Sequence, residues 1–412
     1  MPGVSDTRRK HPGSEELMQI LYYSWNENSS ADIIQTFEEL GHVVTCFQFP
    51  IRNYLVDEAF AQALLGQLAL HSFDMIFTFN YFPVISSVAQ QSGLNYISWV
   101  YDCPHLTLFS PTLANSCNYL FLFDRDMAAA VRRNGAVHAF HLPLAANTTR
   151  INRTLGLSHE LSDAGSAPDS YLHEVTFLGS LYEQNFYDQI HFLPEKLRGY
   201  LDGIMASQKQ LWGVDLMTEL VDEPLAAELS KYVSFEENPL FPCPQRTIFT
   251  HMLQSKITSD ERITALNLLA NTYPVALYSA SSRELCPNAV YHGYISYIDR
   301  MPEVFRRSKI NLNITLRSIT SGIPLRAIDI LSCGGFLFSN YQPELAEYFE
   351  AGTDFIYFED FDDMMKKTDY FLSHERERQE IAHCGYKKVQ ENFSYCRQVD
   401  KMLQYVTSDK AK

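Results

Sequence analysis

The chain has 412 residues, which is enough for two domains, and its 46% hydrophobic and 13% aromatic content supports sizeable cores. The formal net charge of -16 argues against a general affinity for nucleic acid or anionic lipid, because both require a basic surface. Any anionic ligand must therefore bind at a local positive site.

Residues 1–16 are predicted to form a disordered leader. They contain Arg8, Arg9 and Lys10, but no apolar stretch follows that could be the core of a signal peptide. No segment approaches the roughly 20 apolar residues that a membrane-spanning helix needs. The eight cysteines include no Cys-x-x-Cys pair, as is typical of reduced thiols. We therefore expect a cytoplasmic protein without a membrane span.

Residues 17–150 alternate between strand and helix patterns. Apolar, strand-like segments at 18–23, 42–49, 74–80, 95–102 and 118–124 are separated by segments with helical periodicity. Such alternation favours a parallel sheet covered on both faces, in which the loops at the carboxyl ends of the strands bind the ligand. The first domain is thus predicted to be Rossmann-like.

Residues 151–173 lose this periodicity and are rich in Ser, Asp and Gly, which predicts a linker. A second α/β pattern covers residues 174–393, with a helical insertion of about ninety residues after its first strand. A final helix, within residues 394–412, could pack back on the first domain. The predicted fold class is α/β, with two Rossmann-like domains that face each other across a ligand-binding cleft.

Residues 309–341 form the most informative segment, because a buried strand leads into a polar loop and then a helix. Pro324 is well tolerated in a first helical turn, and Thr320 or Ser321 could cap the free amides. The positive end of the helix, with the amides around Ser321 and Gly322, suits a diphosphate. The alternative is an ordinary capped helix without a ligand.

Charged side chains in the same segment support the anion site. Arg317 and Arg326 flank the loop, and Arg326 lies in the first helical turn, where the helix dipole disfavours a cation. A phosphate could compensate for this, or Asp329, one turn away, could form a surface ion pair with Arg326. Asp329 lies in an apolar run, so its carboxylate must be paired or accept hydrogen bonds from a ligand such as a ribose. We interpret the segment as a nucleotide-sugar pocket.

Asp102 and His105 are the catalytic candidates in the first domain. Asp102 ends a predicted strand, so its carboxylate should project into the cleft and could take a proton from an acceptor hydroxyl. His105 has a suitable pKa but lies farther into the loop. The alternatives are a turn-capping role for Asp102 and a purely structural role for His105.

Several other kinds of site are not supported by the sequence. His138 and His141 lie on one face of a strand-like segment, but no third ligand is near them, so no metal site is predicted. The chain contains no Gly-x-Ser-x-Gly elbow, Walker loop or Gly-x-Gly-x-x-Gly fingerprint. These absences argue against a hydrolase, an NTPase and a dinucleotide-binding protein, and no cofactor is expected.

Residues 322–364 and 371–403 resemble the C-terminal domain of bacterial spore-maturation (CgeB-like) glycosyltransferases, which have the GT-B fold. Residues 73–105, 121–126 and 141–147 are similar to the N-terminal domain of the same proteins. The resemblance implies metal-independent transfer of a sugar from a nucleoside diphosphate donor, expected to be UDP-linked, to a protein or glycan acceptor. The implied donor-binding residues are Gly179 and Ser180 at the phosphates, Gly293 and Tyr294 at the base, Asn313 and Arg326 at the diphosphate, and Asp329 at the ribose.

The chain departs from this pattern at one point. Many retaining relatives have two glutamates eight positions apart around the loop, whereas here Ser321 stands eight positions before Asp329. The sugar, the acceptor, the stereochemical outcome and the oligomeric state therefore stay open. Two alternatives are a nucleotide-sugar epimerase of the same fold and a non-catalytic protein that binds nucleotide sugars or has a structural role.

Overall fold

The computed structural model describes residues 17–157, 168, 170–235 and 242–410. The predicted leader, residues 1–16, lies outside the described residues, as do residues 158–167 and 169 of the predicted linker. The first residues of that linker are helical, because a helix covers Thr148–Leu155.

The first domain is built on a six-stranded sheet in which every neighbouring pair is parallel. The strand order is β2-β1-β3-β4-β5-β6. Strands β3 and β5 are buried along their whole length because helices cover both faces of the sheet. The strands are β1 (Gln19–Tyr23), β2 (Val43–Phe47), β3 (Met75–Phe79), β4 (Asn95–Val100), β5 (Asn118–Leu122) and β6 (His138–His141). The helices are α1 (Ser30–Glu39), α2 (Glu58–Leu70), α3 (Pro83–Ser92) and α4 (Arg125–Arg133). The next helix, α5 (Thr148–Leu155), packs through Ile151 in one hydrophobic cluster with Met301 and Phe305 of the second domain.

The second domain has a parallel six-stranded sheet of its own, in the order β12-β11-β10-β7-β8-β9. The strands are β7 (His173–Leu178), β8 (Val275–Tyr278), β9 (Val290–Tyr291), β10 (Ser308–Asn313), β11 (Leu337–Asn340) and β12 (Ile356–Phe358). The helices are α6 (Glu195–Gln208), α7 (Met217–Leu220), α8 (Glu223–Leu229), α9 (Gln245–Ala270), α10 (Met301–Arg306), α11 (Leu325–Ser332), α12 (Pro343–Tyr348), α13 (Phe361–Ser373), α14 (Glu375–Asn392) and α15 (Tyr395–Lys410). The predicted fold class, with two parallel sheets, is confirmed.

The helical insertion between β7 and β8 comprises α6 to α9 and has a hydrophobic core of its own. Leu201, Met217, Leu229 and Leu253 are fully or almost fully buried in that core. The insertion is therefore a packed lobe of the second domain rather than an extended loop.

Helix α15 returns to the first domain. Its apolar face, which includes Val399, Met402 and Val406, is buried in one cluster with Ile20 and Phe77 of the first sheet. At the start of the helix, the hydroxyl groups of Tyr101 and Tyr395 are hydrogen-bonded at 2.9 Å. The chain thus crosses between the two domains twice.

The carboxyl ends of the two sheets face each other. The loop after β4 contacts the loop after β10, where the Ser318 hydroxyl donates a 2.7 Å hydrogen bond to the Cys103 carbonyl. The residues after β5 and β6 contact the segments after β10 and β11. This is the arrangement in which both sheets direct their ligand-binding edges into one cleft. Among the residues described, no helix is both long enough and apolar enough to span a bilayer.

Candidate active site

Asp124 joins the two domains at the centre of the cleft. This residue follows β5, and its Oδ1 accepts a 2.8 Å hydrogen bond from the Met127 amide, so it caps the N-terminus of α4. Its Oδ2 accepts hydrogen bonds of 2.9 Å from the amides of both Ser321 and Gly322 in the second domain. The side chain is buried, at 1% exposure, so these bonds compensate for the loss of water around the carboxylate.

The loop at residues 320–324 therefore differs from the sequence-based prediction. Helix α11 begins at Leu325 after Pro324, and no side chain caps it, so the prediction that Thr320 or Ser321 would cap this helix was wrong. The Ser321 hydroxyl instead donates to Glu344, and the amides of Ser321 and Gly322, predicted to bind a diphosphate, bind Asp124. A carboxylate from the facing domain thus fills the anion site that the sequence suggested.

Gly322 allows this contact because it has no side chain. A Cβ atom at this position would lie 2.9 Å from the Cα and Cβ atoms of Asp124 and from the Phe123 carbonyl oxygen. Such distances are shorter than real Cβ contacts, so the two backbones could not approach each other as closely with any other residue.

Glu344, which the sequence analysis did not single out, completes the contact between the domains. The carboxylate accepts hydrogen bonds from the Arg125 amide at 2.9 Å and from the Ser321 hydroxyl at 2.7 Å, and it pairs with His141 Nε2 at 2.7 Å. Burial alone would raise the pKa of Glu344, but the bonds from His141, Ser321 and Arg125 lower it below its usual value. The carboxylate is therefore stabilised in its charged form.

Arg326 and Asp329 form an ion pair, one of the two alternatives that the sequence left open. Arg326 Nη1 lies 3.0 Å from Asp329 Oδ2, and the Tyr297 hydroxyl donates to Asp329 Oδ1 at 2.8 Å. Asp329 is only 1% exposed, and burial raises its pKa even though Arg326 opposes the shift. Both carboxylate oxygens of Asp329 are thus bound by protein groups, and the side chain is buried.

Arg262 is a second cation beside this cleft, and sequence reasoning missed it. The residue lies on α9, and its guanidinium donates to the Ser180 carbonyl after β7 at 2.7 Å and to the Ile314 carbonyl after β10 at 2.6 Å. No carboxylate pairs with it in the part of the chain that the structure describes. Burial lowers the pKa of the guanidinium to about 10, and the nearby positive charge of Arg326 contributes to the decrease.

The remaining donor-site candidates lie at several places on the same sheet. Gly179 and Ser180 follow β7 beside Arg262, and a Cβ atom at Gly179 would lie 3.7 Å from Arg262 Nη1. Asn313 ends β10 and donates to the Ser339 hydroxyl at 2.9 Å, so its amide is engaged within the sheet. Gly293 has a positive φ of 73°, and Tyr294 beside it is 74% exposed. Within the described residues, no hydrogen bond joins these last two positions to the others.

Arg317 does not face the cleft as a free cation. Its guanidinium forms a buried ion pair with Glu261 on α9, with Nε 2.9 Å from Glu261 Oε2, and it stacks on Trp212 at 3.8 Å from the ring centre. Arg317 therefore fixes the helical insertion to the loop after β10. Local sequence spacing could not reveal a partner more than fifty residues away.

Asp102 lies at the edge of a cavity of about 560 Å³ in the first domain. The Asn80 side chain orients the aspartate: its Nδ2 donates to Asp102 Oδ2 at 2.7 Å, and its Oδ1 accepts from the Asp102 amide at 3.1 Å. Asn80 itself has a positive φ of 62°, a conformation that Asn tolerates better than most residues. The cavity is lined by Trp25, Arg52, Asn53, Tyr54, Leu55, Asn80, Phe82, Asp102, His105, Leu106 and Thr107.

His105 also lines this cavity, but the protein backbone holds its ring. Nε2 lies 3.0 Å from both the amide nitrogen and the carbonyl oxygen of Tyr81, and 2.7 Å from the Thr107 hydroxyl. Burial lowers the pKa of His105 and favours the neutral form. Of the two predicted catalytic residues, Asp102 is therefore the one with the more accessible acid–base group.

The described residues contain no group of three His, Cys, Asp or Glu side chains placed to hold a metal ion. His138 stacks on Tyr119 at 4.6 Å between ring centres, and His141 pairs with Glu344, so the two histidines have separate partners. Metal-independent transfer stays a prediction.

Comparisons with known proteins agree with the overall fold. Residues 259–404 match the family model for glycosyl transferase-like proteins. The structure is similar to sucrose-phosphate synthase from Thermosynechococcus elongatus, with 11% identity, a TM-score of 0.52, and coverage of 96% of this chain and 100% of that chain. It is also similar to α,α-trehalose 6-phosphate synthase from Burkholderia multivorans, with 11% identity, a TM-score of 0.53, and coverage of 96% and 100%.

A third similar structure is the Anabaena protein HepE in complex with UDP and glucose, with 9% identity, a TM-score of 0.51, and coverage of 95% of this chain and 100% of that chain. No curated protein matches the sequence of this chain. The closer resemblance to spore-maturation glycosyltransferases therefore stays a prediction. The predicted architecture is confirmed: the chain has the two-domain GT-B fold of glycosyltransferases, and its second domain contains a glycosyl transferase-like segment.

Proposed function

We propose that this protein transfers a sugar from a nucleoside diphosphate donor, with UDP as the expected nucleotide, to a hydroxyl group of a glycan or protein acceptor. The proposal rests on two features that lie on opposite sides of one cleft. Arg262, a cation without a carboxylate partner among the described residues, lies at the carboxyl ends of β7 and β10. The cavity that contains Asp102 lies at the carboxyl edge of the facing sheet.

The donor would bind against the second domain. A diphosphate beside Ser180 and Ile314 would meet the Arg262 guanidinium, which still has N–H groups that no described acceptor uses, and Arg326 would add positive charge nearby. Two arginines near each other repel, and an anion between them would relieve that repulsion. The HepE structure contains UDP and glucose on the same fold, which supports UDP as the first nucleotide to test.

The acceptor would bind in the cavity of the first domain. Trp25, Tyr54 and Phe82 give this cavity an aromatic wall, which suits the apolar face of a sugar ring. Asp102, oriented by Asn80, would accept the proton of the attacking hydroxyl group. The space for a second substrate favours a transferase over an epimerase, because an epimerase needs only the nucleotide sugar.

The proposed reaction is a nucleophilic substitution at the anomeric carbon of the donor sugar. The acceptor oxygen forms a bond to the anomeric carbon of the donor while its proton moves to the Asp102 carboxylate. The bond between the anomeric carbon and the diphosphate oxygen breaks, and the diphosphate leaves with the electron pair. Arg262 and Arg326 would stabilise the negative charge that develops on the leaving group.

A non-catalytic nucleotide-sugar-binding protein is the second candidate. This function is favoured because the amides of Ser321 and Gly322 already bind Asp124. The carboxylate of Asp329 is likewise already bound by protein groups. In that case a nucleotide would bind but no sugar would be released.

One experiment separates these functions. Purified protein is incubated with UDP-glucose and other nucleotide sugars, and free nucleoside diphosphate, new nucleotide sugars and the melting temperature are measured. Release of diphosphate supports a transferase, conversion to another nucleotide sugar supports an epimerase, and a higher melting temperature without turnover supports a binding protein. If no nucleotide sugar shifts the melting temperature or is turned over, the proposed donor site is wrong.

A further inference from the structure

A second cavity, of about 590 Å³, lies away from Arg262 and Asp102 at the seam where α15 meets both domains. Its walls come from three parts of the fold: residues 141–143 after β6, Tyr348 and Phe393 at the ends of α12 and α14, and one face of α15. The volume is in the range of small-molecule sites.

Lys401 gives this cavity a positive charge. In the described part of the chain no carboxylate pairs with Lys401, and burial lowers the pKa of its ammonium group. No Asp or Glu side chain lines the cavity, although acidic residues outnumber basic ones by 49 to 33 in the whole chain. His141, which lines the cavity, is paired with the Glu344 carboxylate, and the lining residue Gln404 donates a hydrogen bond to the Asp400 carboxylate. The cavity therefore favours an anion.

Gln398 gives the cavity an unused hydrogen-bond acceptor. The residue is 1% exposed, and its Oε1 has no hydrogen-bond partner among the described residues. A buried amide oxygen without a partner is costly, so such groups generally have a ligand or an ordered water. A hydroxyl group of a ligand bound in the cavity would satisfy this oxygen. Tyr348 and Phe393 supply an aromatic wall beside it.

We propose that this cavity binds a small hydroxylated organic anion, a sugar phosphate or a sugar acid, at a site separate from the catalytic cleft. The anionic group would pair with Lys401, a hydroxyl group would donate to Gln398 Oε1, and the ring or carbon chain would lie against the aromatic wall. This site follows from the described residues alone and does not depend on the proposed transferase activity.

The site is connected to the cleft through one ion pair. His141 lines the cavity and pairs with Glu344, which in turn accepts the hydroxyl of Ser321 in the cleft loop. Because the walls belong to both domains, a bound anion would stabilise the arrangement in which the domains are closed. Anion binding should then change the affinity of the protein for UDP.

Binding is tested by isothermal titration calorimetry with glucose 6-phosphate, gluconate and inorganic phosphate. We expect glucose 6-phosphate or gluconate to bind, and which of them binds identifies a phosphate or a carboxylate as the preferred anion. Lys401→Ala should weaken this binding about tenfold or more, as expected for loss of a charged hydrogen bond. Lys366→Ala, at an exposed lysine on α13, is the matched control and should bind as the wild type does.

A second variant separates ligand binding from folding. Gln398→Leu removes the unpartnered oxygen at similar volume, so the melting temperature without ligand should stay the same or rise while ligand binding becomes weaker. Arg262→Ala should still bind the anion, since Arg262 lies in the cleft. The proposal is overturned if neither organic anion binds, if phosphate alone binds equally well, if Lys401→Ala binds as the wild type does, or if Arg262→Ala abolishes binding.

Discussion

The carboxylate of Asp124 in the first domain lies 2.9 Å from the amide nitrogen of Gly322 in the second, in a contact that only glycine permits. The two residues are 198 positions apart in the chain. This contact joins the carboxyl edges of the two sheets at the loop where the sequence predicted that a diphosphate would bind. The closed cleft is thus maintained by a protein carboxylate.

Gly322→Ala should weaken this contact. The added methyl group would lie 2.9 Å from Asp124 and from the Phe123 carbonyl, and such overpacking costs about 1–3 kcal/mol. We expect a lower melting temperature and, by small-angle scattering, a larger radius of gyration. Gly66→Ala on α2 is the control, because a Cβ atom there meets nothing within 4 Å. Equal behaviour of the two variants would show that the contact does not hold the domains together.

Arg262→Ala should weaken UDP binding by about 10-fold to 100-fold, since hydrogen bonds to charged groups contribute about 1.5–3 kcal/mol. Calorimetric titration with UDP measures this effect. Arg376→Ala, whose side chain is 92% exposed on α14, is the matched control. If UDP binds both variants as tightly as the wild type, Arg262 does not hold the diphosphate.

Asp102→Asn should lower kcat by about 10²–10⁴-fold with little change in UDP affinity, because an amide cannot take the proton from the attacking hydroxyl group of the sugar acceptor. The hydrogen bond from Asn80 can be retained by the side-chain oxygen of the new asparagine, so the melting temperature should hardly change. His105→Asn tests the other candidate: we expect a loss of stability, since the bonds to Tyr81 are lost, with the pH dependence of kcat unaltered. A larger kcat loss in His105→Asn than in Asp102→Asn would reverse the assignment.

Glu344 should make stability depend on pH. Its pKa in the folded protein is lower than its usual value of 4.5, so its stabilising contribution is complete above that value and is lost as the pH falls through the folded pKa. Glu344→Gln should therefore melt below the wild type at pH 7, and the difference should shrink towards pH 3. Thermal unfolding of both proteins across this range measures the effect. A constant difference would mean that the charge of Glu344 does not stabilise the fold.

The fold could be predicted because its signals are local. Strands β3 and β5 are mostly apolar and fully buried, and the helices between the strands have their own periodicity and end at residues such as Gly93. The position of Asp102 at the cavity could also be predicted, because Asp102 closely follows β4 and the loops at the carboxyl ends of parallel strands line the ligand cleft.

The partners within the site could not be predicted in the same way. Asp124 follows β5, so its position also suggests a cleft residue. Nothing in the local sequence shows that Asp124 would bind the loop of the other domain. Arg262 lies in the middle of α9, where the sequence pattern indicates only a helix. Its role depends on the carbonyls of Ser180 and Ile314, which tertiary packing brings to it from two different strands.

The return of α15 has a consequence for how the chain acquires its structure during synthesis. Tyr101 and Tyr395 are 294 positions apart, and the apolar face of α15 is buried in one cluster with Ile20 and Phe77. While the ribosome is still translating the second domain, the first sheet therefore has an uncovered hydrophobic face. The first domain completes its core only after nearly all of the second has been made, so we expect the two domains to unfold in a single cooperative transition.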